Sequence, residues 1–389
     1  MQLPLLPDLS AGPDPWAELA DAEGRGTVFL NLPVRSVLNS PATTRMPFWS
    51  INPYVGCEFG CTYCYARETH RWTTERKGSP SPDRERGLGG EGATAEALGG
   101  KAERGSGGEA CPERSEGSPA DNAEMPPWLA FEKQILVKHD APDVLAATFR
   151  PAEVKGRTIV IGTATDPYQP AERQFRLTRR ILELFLRYEG LSLGLITKSP
   201  LIARDAELLA QLSQKHRVKV LISCASIDGK LLRRIEARSP APHARIRALK
   251  KLTDAGVTVG LLVAPVIPGI TDGRAALEAL LRAAREAGAT SASGQALRLG
   301  PAARARFLPQ LAQEFPDLVR RYERRYGRTH GPGDEYETAM KRRFTKLRAL
   351  LNYPGGHEME PGRVDLARIA MAPQLSITDE MFKERAEHG

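Results

Sequence analysis

The chain has 389 residues, enough for one large α/β barrel or two ordinary domains. Hydrophobic residues at 41% and charged residues at 26% exclude a disordered chain, and no apolar run reaches the ~18 residues that a membrane span needs. A net charge of +8 permits a polyanionic partner such as nucleic acid without requiring one. The first residues show no basic segment followed by an apolar core, so no secretory leader is expected and the expected compartment is the cytoplasm. The cysteines number five, and Cys57, Cys61 and Cys64 fall within eight residues of one another. An odd, clustered set in a reducing compartment points to metal or redox chemistry rather than to a disulfide framework.

Residues 1–45 read as an extended lead-in, with Val28-Phe29-Leu30 as an edge strand or a segment packed under a barrel. Trp49 to Val55 reads as a strand that breaks at Gly56, directly before the first clustered cysteine. Residues 77–122 are rich in Gly, Ser, Pro, Ala and Glu and almost lack large apolar side chains. Such a segment buries too little surface to offset its ordering entropy, so a disordered surface insertion is expected, with Cys111 incidental within it. Strands and helices then alternate. Strands are expected at Ile135–Val137, Thr158–Thr163, Leu191–Thr197, Val218–Ser223 and Val257–Val263, with a weaker one at Ala296–Leu299. Helices are expected at Asp143–Phe149, Phe175–Tyr188, Pro200–Gln211, Ala244–Ala255 and Gly273–Ala287, the last two closed by Gly256 and Gly288. From Pro301 the pattern is helical only: an appendage over 301–353, including a helix at Glu335–Asn352, and then a loose tail over 354–389.

Repeated βα units imply a parallel sheet with helices outside it. The expected fold is α/β, a partial (β/α)6 TIM-like barrel over 46–300. Functional groups in such folds gather at the C-terminal ends of the strands. Those ends carry Thr165 and Asp166, Lys198, Ser223 with Cys224, and the run Ala264 to Gly269. Cys224 is small and is expected in the core.

The chemistry centres on Cys57, Cys61 and Cys64, spaced C-x3-C-x2-C. Three thiolates on one tight loop bind three irons of a cubane and leave the fourth without a protein ligand, open to a cofactor or substrate. Gly56 and Gly60 let the backbone wrap closely, and Phe59, Tyr63 and Tyr65 supply an apolar wall. A structural zinc takes two C-x2-C pairs or adds histidines; the nearest histidine is His70, and no second pair exists. The alternative is a non-catalytic iron–sulfur or zinc protein that binds nucleic acid.

This loop resembles that of the radical S-adenosylmethionine superfamily. Asn52-Pro53-Tyr54-Val55-Gly56-Cys57, Cys64-Tyr65-Ala66-Arg67, the run Gly162 to Pro170, Thr197-Lys198-Ser199-Pro200 and the run Pro265 to Asp272 are similar to the branch related to spore photoproduct lyase. The resemblance implies a partial barrel of the radical SAM type, a [4Fe–4S] cluster on the three cysteines, and S-adenosyl-L-methionine as cofactor. It implies reductive cleavage of that cofactor, hydrogen abstraction from a substrate, and an external one-electron donor of flavodoxin or ferredoxin type. By the same resemblance Tyr63 and Tyr65 lie beside the cofactor, Lys198 and Ser223 reach its carboxylate or ribose, and Thr165 and Asp166 stand where its amino group binds. The Gly-Gly-Glu text usual at that last place is absent. The branch's hydrogen-donating cysteine has no counterpart in Thr163–Tyr168, which argues against photoproduct repair itself and leaves Tyr168 as a speculative radical relay. The segment Arg234 to Arg238 and Arg245 also fit the branch, and a salt-bridged surface helix explains them nearly as well. Arg320, Arg321, Arg324, Arg325, Lys341, Arg342 and Arg343 give the appendage a basic face able to track phosphates, so damaged or modified nucleic acid is one expected substrate class.

Overall fold

A computed structural model describes residues 26–44, 46–68, 127–327 and 329–354. The expected insertion at 77–122, Cys111, residues 1–25 of the lead-in and all but Pro354 of the tail lie outside the described residues. Two sheets organise the rest. The larger runs in the order β10-β9-β8-β7-β6-β3-β2. Its strands are β2 (Leu38–Asn39), β3 (Trp49–Ile51), β6 (Thr158–Ile161), β7 (Ser192–Thr197), β8 (Arg217–Ser223), β9 (Val259–Val266) and β10 (Ser291–Ala296). The six from β3 to β10 are mutually parallel, and only β2, on the β3 edge, is antiparallel. Helices α3 (Ala171–Phe175), α4 (Leu177–Phe185), α5 (Ala206–Lys215), α6 (Gly229–Ile235), α7 (Pro242–Asp254) and α8 (Arg274–Glu286) supply the crossovers. The sheet stays open between β10 and β2, which makes it a partial (β/α)6 barrel. The smaller sheet, β1-β5-β4, joins β1 (Val28–Asn31), β5 (Gln134–Val137) and β4 (Tyr54–Val55). Helices α1 (Pro127–Lys133) and α2 (Ala141–Thr148) flank β5.

The barrel strands are buried on both faces, so they read as continuous apolar runs. All four residues of β6 are buried, and Leu193, Leu195, Val220, Ile222, Leu261 and Val263 join them in one core. Each such side chain contributes roughly 1.5–3 kcal/mol on leaving water. On α4, Ile181, Leu184 and Phe185 face that core, while Leu177 packs in a second cluster with Tyr54, Ile135, Val137 and Ala171.

Several elements differ from expectation for identifiable reasons. The strand expected to run unbroken from Trp49 ends at Ile51, because Pro53 has no N–H to give to a ladder; β3 and β4 then join different sheets. Val28–Asn31 forms an exposed edge strand and does not pack under the barrel. The helix expected over Phe175–Tyr188 is broken by Arg176 at φ 51°. The helix expected from Pro200 begins as a 3-10 turn over Pro200–Asp205. The last strand is Ser291–Ala296, not Ala296–Leu299. Its small residues hide the usual strand signature, but Gly294 pairs with Val263 and admits the Phe344 ring. Leu297 and Leu299 are buried outside the ladder.

Helices α9 (Pro301–Glu314), α10 (Val319–Tyr326) and α11 (Asp334–Leu350) pack back onto the barrel. Phe344 of α11 covers Gly294, and Arg348 donates to the Ala292 carbonyl at 3.1 Å, so α11 shields the β10 edge. Among the described residues no helix is long and apolar enough to cross a membrane.

Gly162, at the end of β6, turns the chain into the loop that carries Thr165, Asp166 and Gln169. Its φ is +94°, and a Cβ there would lie 2.5 Å from the Ile196 carbonyl oxygen and 2.6 Å from Pro167 Cδ. Gly162→Ala is therefore expected to cost at least about 2 kcal/mol. A lower urea midpoint at unchanged slope would show it; an unchanged midpoint would mean that the loop relaxes freely.

Candidate active site

The three-cysteine loop follows β4. Two tight turns shape it, with Gly60 N donating to Cys57 O at 3.3 Å and Cys64 N to Cys61 O at 3.2 Å. Cys57 N donates to Phe131 O at 2.9 Å, which ties the loop to the end of α1. Gly60 has φ +57°, and a Cβ on it would sit 2.1 Å from Arg238 Nη2. That guanidinium pairs with the buried carboxylate of Glu132, which also binds Arg67 at 2.6 Å and Arg306 at 3.2 Å. Arg67 donates in addition to Cys61 O at 3.0 Å. One carboxylate thus links the cysteine loop, the segment after α6, and α9.

A second set of bonds comes from the loop after β6. Thr165 Oγ1 donates to Gly56 O at 2.6 Å. Gln169, fully buried, donates to Thr165 Oγ1 at 3.0 Å and accepts from Glu58 N at 3.0 Å. The backbone on either side of Cys57 is held by these two side chains. Asp166 accepts from Thr197 Oγ1 at 2.6 Å, Lys198 N at 2.8 Å and Tyr168 N at 2.9 Å. Thr165 and Asp166, expected at the amino group of the cofactor, therefore spend these bonds on fixing loops. Burial nevertheless pushes the Asp166 carboxyl above the usual range, against those three bonds.

The third set lies under Tyr63. Its hydroxyl donates to Glu236, and Glu236 pairs with Arg245; neither charged side chain has any exposure. Arg245 also donates to Ser223 O at 3.0 Å and to Pro240 O at 2.9 Å. The surface-helix account of Arg234 to Arg245 is thereby corrected for Glu236 and Arg245. They form a buried pair, because Tyr63 and two carbonyls supply the partners that make burial tolerable. Ser239 Oγ lies 3.4 Å from Cys61 Sγ.

Lys198 Nζ stands 5.7 Å from the centre of the Tyr63 ring. Burial disfavours its charge, but Cys61 and Cys64 outweigh burial and raise its pKa. Ser223 Oγ donates to Ala264 O at 3.3 Å. Tyr65 is 47% exposed, with its hydroxyl on Thr163 O. Cys224 is buried, as expected, and its thiol bonds Ser226 O. Tyr168 is fully buried, and the charges around it are Asp205, Glu172 and Arg204. It sits in that ion cluster, and its backbone N–H also reaches Asp166.

The three thiols share one short loop. Burial pushes Cys57 and Cys61 up, Cys61 to about 11, and each also feels the neighbouring thiols. Such thiols stay protonated until a metal displaces the protons. Among the described residues no group of three His, Cys, Asp or Glu is set to hold a single ion. A cubane would take each thiolate on a different iron, and the C-x3-C-x2-C spacing supplies three. The donor set fits a cluster.

Glu132 and Gln169 had no role in the sequence reading. Apart from Thr165, four positions from Gln169, their partners lie 65 to 174 positions away, beyond any local pattern.

The chain matches the Radical SAM superfamily model over residues 112–281, a stretch that begins after the cysteine loop. An uncharacterized protein of Mycobacterium tuberculosis (strain ATCC 25618 / H37Rv) is 28% identical over 352 residues, 90% of this chain and 88% of the relative. An uncharacterized protein of Methanocaldococcus jannaschii is 27% identical over 222 residues, 57% of this chain and 61% of the relative. A spore photoproduct lyase mutant with bound AdoMet and dinucleoside spore photoproduct superposes with a TM-score of 0.53 at 14% identity, over 87% of this chain and 83% of that one. Spore photoproduct lyase complexed with dinucleoside spore photoproduct gives 0.53 at 14% identity, over 90% and 86%. At that identity the likeness is one of fold.

Proposed function

We propose that the chain is an enzyme of the radical SAM superfamily, whose model matches residues 112–281, and that it holds a [4Fe–4S] cluster on Cys57, Cys61 and Cys64 and abstracts hydrogen from an organic substrate. The observation that carries this reading is the placement of three thiols on one short loop pinned from α1, from the loop after β6 and from the segment after α6. When bound, the cluster supplies the electron that cleaves S-adenosyl-L-methionine into methionine and a 5′-deoxyadenosyl radical.

The residues of the chain position and shield. Lys198 offers a cation beside the cysteines for the carboxylate of the cofactor, and Asp166 holds the Lys198 backbone in place. Thr165 and Gln169 hold Cys57; Tyr63, anchored by Glu236 and Arg245, closes the wall against water. Tyr65 presents its ring toward the mouth, and Ser223 caps the Ala264 carbonyl. The electron comes from an external flavodoxin- or ferredoxin-like donor. To test the reading, the protein is reconstituted anaerobically with iron and sulfide, reduced, and given S-adenosyl-L-methionine. Formation of 5′-deoxyadenosine is expected. Zinc uptake without iron would replace this reading with the non-catalytic alternative.

Nucleic acid is the proposed substrate class on one geometric ground. Helix α10 carries exposed Arg320, Arg321 and Arg324 and is anchored to the loop after β9, where Tyr322 donates to Pro268 O at 2.7 Å. Arg321 Nη1 lies 3.7 Å from where a Cβ on Gly269 would be, at the rim of the barrel mouth. Not every basic residue of the expected face is free for phosphate: Arg325 lies over the Tyr336 ring and Arg343 binds Asp272 O. Replacing Arg320, Arg321 and Arg324 by Gln is expected to flatten the slope of log affinity for duplex DNA against log salt by about 2.7. An unchanged slope would place the contact elsewhere.

A further inference from the structure

We propose that Lys138 is the anion-binding residue of a substrate subsite at the barrel mouth, which takes a planar ring bearing an oxyanion and uses the exposed ring of Tyr65 as its stacking face. The inference rests on the reading of this mouth as the substrate side. Asn52 follows the end of β3, Lys138 follows the end of β5, and Thr163 stands two residues past the end of β6. Lys138 N donates to Pro53 O at 3.2 Å, and its Nζ donates to Asn52 O at 2.8 Å. The Asn52 side chain in turn donates to Thr163 Oγ1 at 3.1 Å and accepts from Ala164 N at 2.9 Å. Thr163 O accepts the Tyr65 hydroxyl. Lys138, which follows β5 of the smaller sheet, is thus linked through Asn52 and Thr163 at the strand ends of the larger sheet to Tyr65.

Two independent features mark this linked set as a ligand site. Lys138 is half-buried, and among the described residues no carboxylate pairs with it; burial pushes its pKa down to about 8. A structural lysine needs only its bond to Asn52 O, whereas an ammonium has three donors. A desolvated cation without a counter-charge destabilises the empty fold, and folds keep such costs where a ligand supplies the charge. The second feature is Tyr65. Its neighbours Tyr63 and Ala66 are buried, but its own ring is open to solvent and oriented by its hydroxyl. A fixed, exposed aromatic face suits a planar ring, and a lysine point charge suits phosphate or carboxylate.

The lysines of the reconstituted protein are labelled with carbon-13 by reductive methylation, and the Lys138 signal is identified by its absence in Lys138→Arg. Inorganic phosphate is expected to shift that signal saturably, while chloride at equal ionic strength leaves it in place. Thymidine 5′-monophosphate is expected to saturate at about tenfold lower concentration than ribose 5-phosphate, since only the former carries a planar base. A signal indifferent to phosphate, or moved equally by chloride, overturns the anion site. Equal midpoints for the two monophosphates overturn the part given to Tyr65. The 5′-deoxyadenosine assay on the same sample keeps the two readings apart. A phosphate response without deoxyadenosine leaves the subsite and removes the radical chemistry; the reverse removes the subsite alone.

Discussion

Cys61→Ala is expected to lose the iron–sulfur chromophore and to lower 5′-deoxyadenosine formation more than about a hundredfold, beyond the loss that follows removal of a residue behind a metal ligand. With Cys61 gone, two thiols remain for a cluster that needs three. Cys61 is also the thiol that Lys198, Glu236 and Ser239 act on, so its loss removes the bond to Ser239 as well. Iron and sulfide content, the visible absorption of the reconstituted protein, and product formation are the three readouts. Cys224→Ala serves as the control. Its thiol is buried against Ser226 O, away from the loop in sequence, and iron content should be unchanged. Retained turnover in Cys61→Ala would remove the three-thiol cluster from the mechanism. Loss of iron in both variants would point to general unfolding.

Arg245→Met is expected to destabilise the fold by about 3–5 kcal/mol. It leaves the carboxylate of Glu236 buried without its cation, and the Ser223 and Pro240 carbonyls without a donor. Urea unfolding of the metal-free chain measures this directly. Adding Glu236→Gln to Arg245→Met should recover a large part of the loss. The amide carries no charge, and its oxygen still accepts from Tyr63. A single variant within about 1 kcal/mol of the parent would mean that water or movement of α7 compensates. Failure of the double variant to recover would assign the loss to packing around the guanidinium. Iron retention separates the structural from the positioning contribution. Tyr63 sits between Cys61 and Cys64, so a loosened Glu236 should also speed loss of iron from the reconstituted protein.

The cysteine spacing was legible because all three ligands lie on one short loop, and the glycines that shape that loop lie beside them. The barrel was legible for a similar reason. β6, β7, β8 and β9 are short apolar runs closed by polar or turn residues, and the amphipathic period of α4 and α8 is local. Where local signals were weak, the reading slipped. Ser291–Ala296 is a strand of small residues whose pairing is decided by β9 and by Phe344 above it. Arg176 breaks a helix in a stretch with no Gly or Pro to announce it. Glu236 and Arg245 look like surface charges in any helical pattern, and only the presence of Tyr63 and two carbonyls makes them a buried pair.

By itself the sequence determined which residues are candidates for the chemistry and the succession of β6, β7, β8 and β9. Both follow from short-range facts: ligand spacing, apolar periodicity, and the preference of consecutive βα units to lie side by side. Only the tertiary structure decided what those residues do to one another. Thr165 and Asp166 became anchors because the end of β7 and the cysteine loop supply their partners. Tyr168 turned toward Asp205, and Lys138 came to stand beside Asn52 without a counter-charge among the described residues. The physical reason is that burial and pairing depend on contacts between segments up to 235 positions apart. No window of sequence records whether a charge will meet its partner or be left for a ligand.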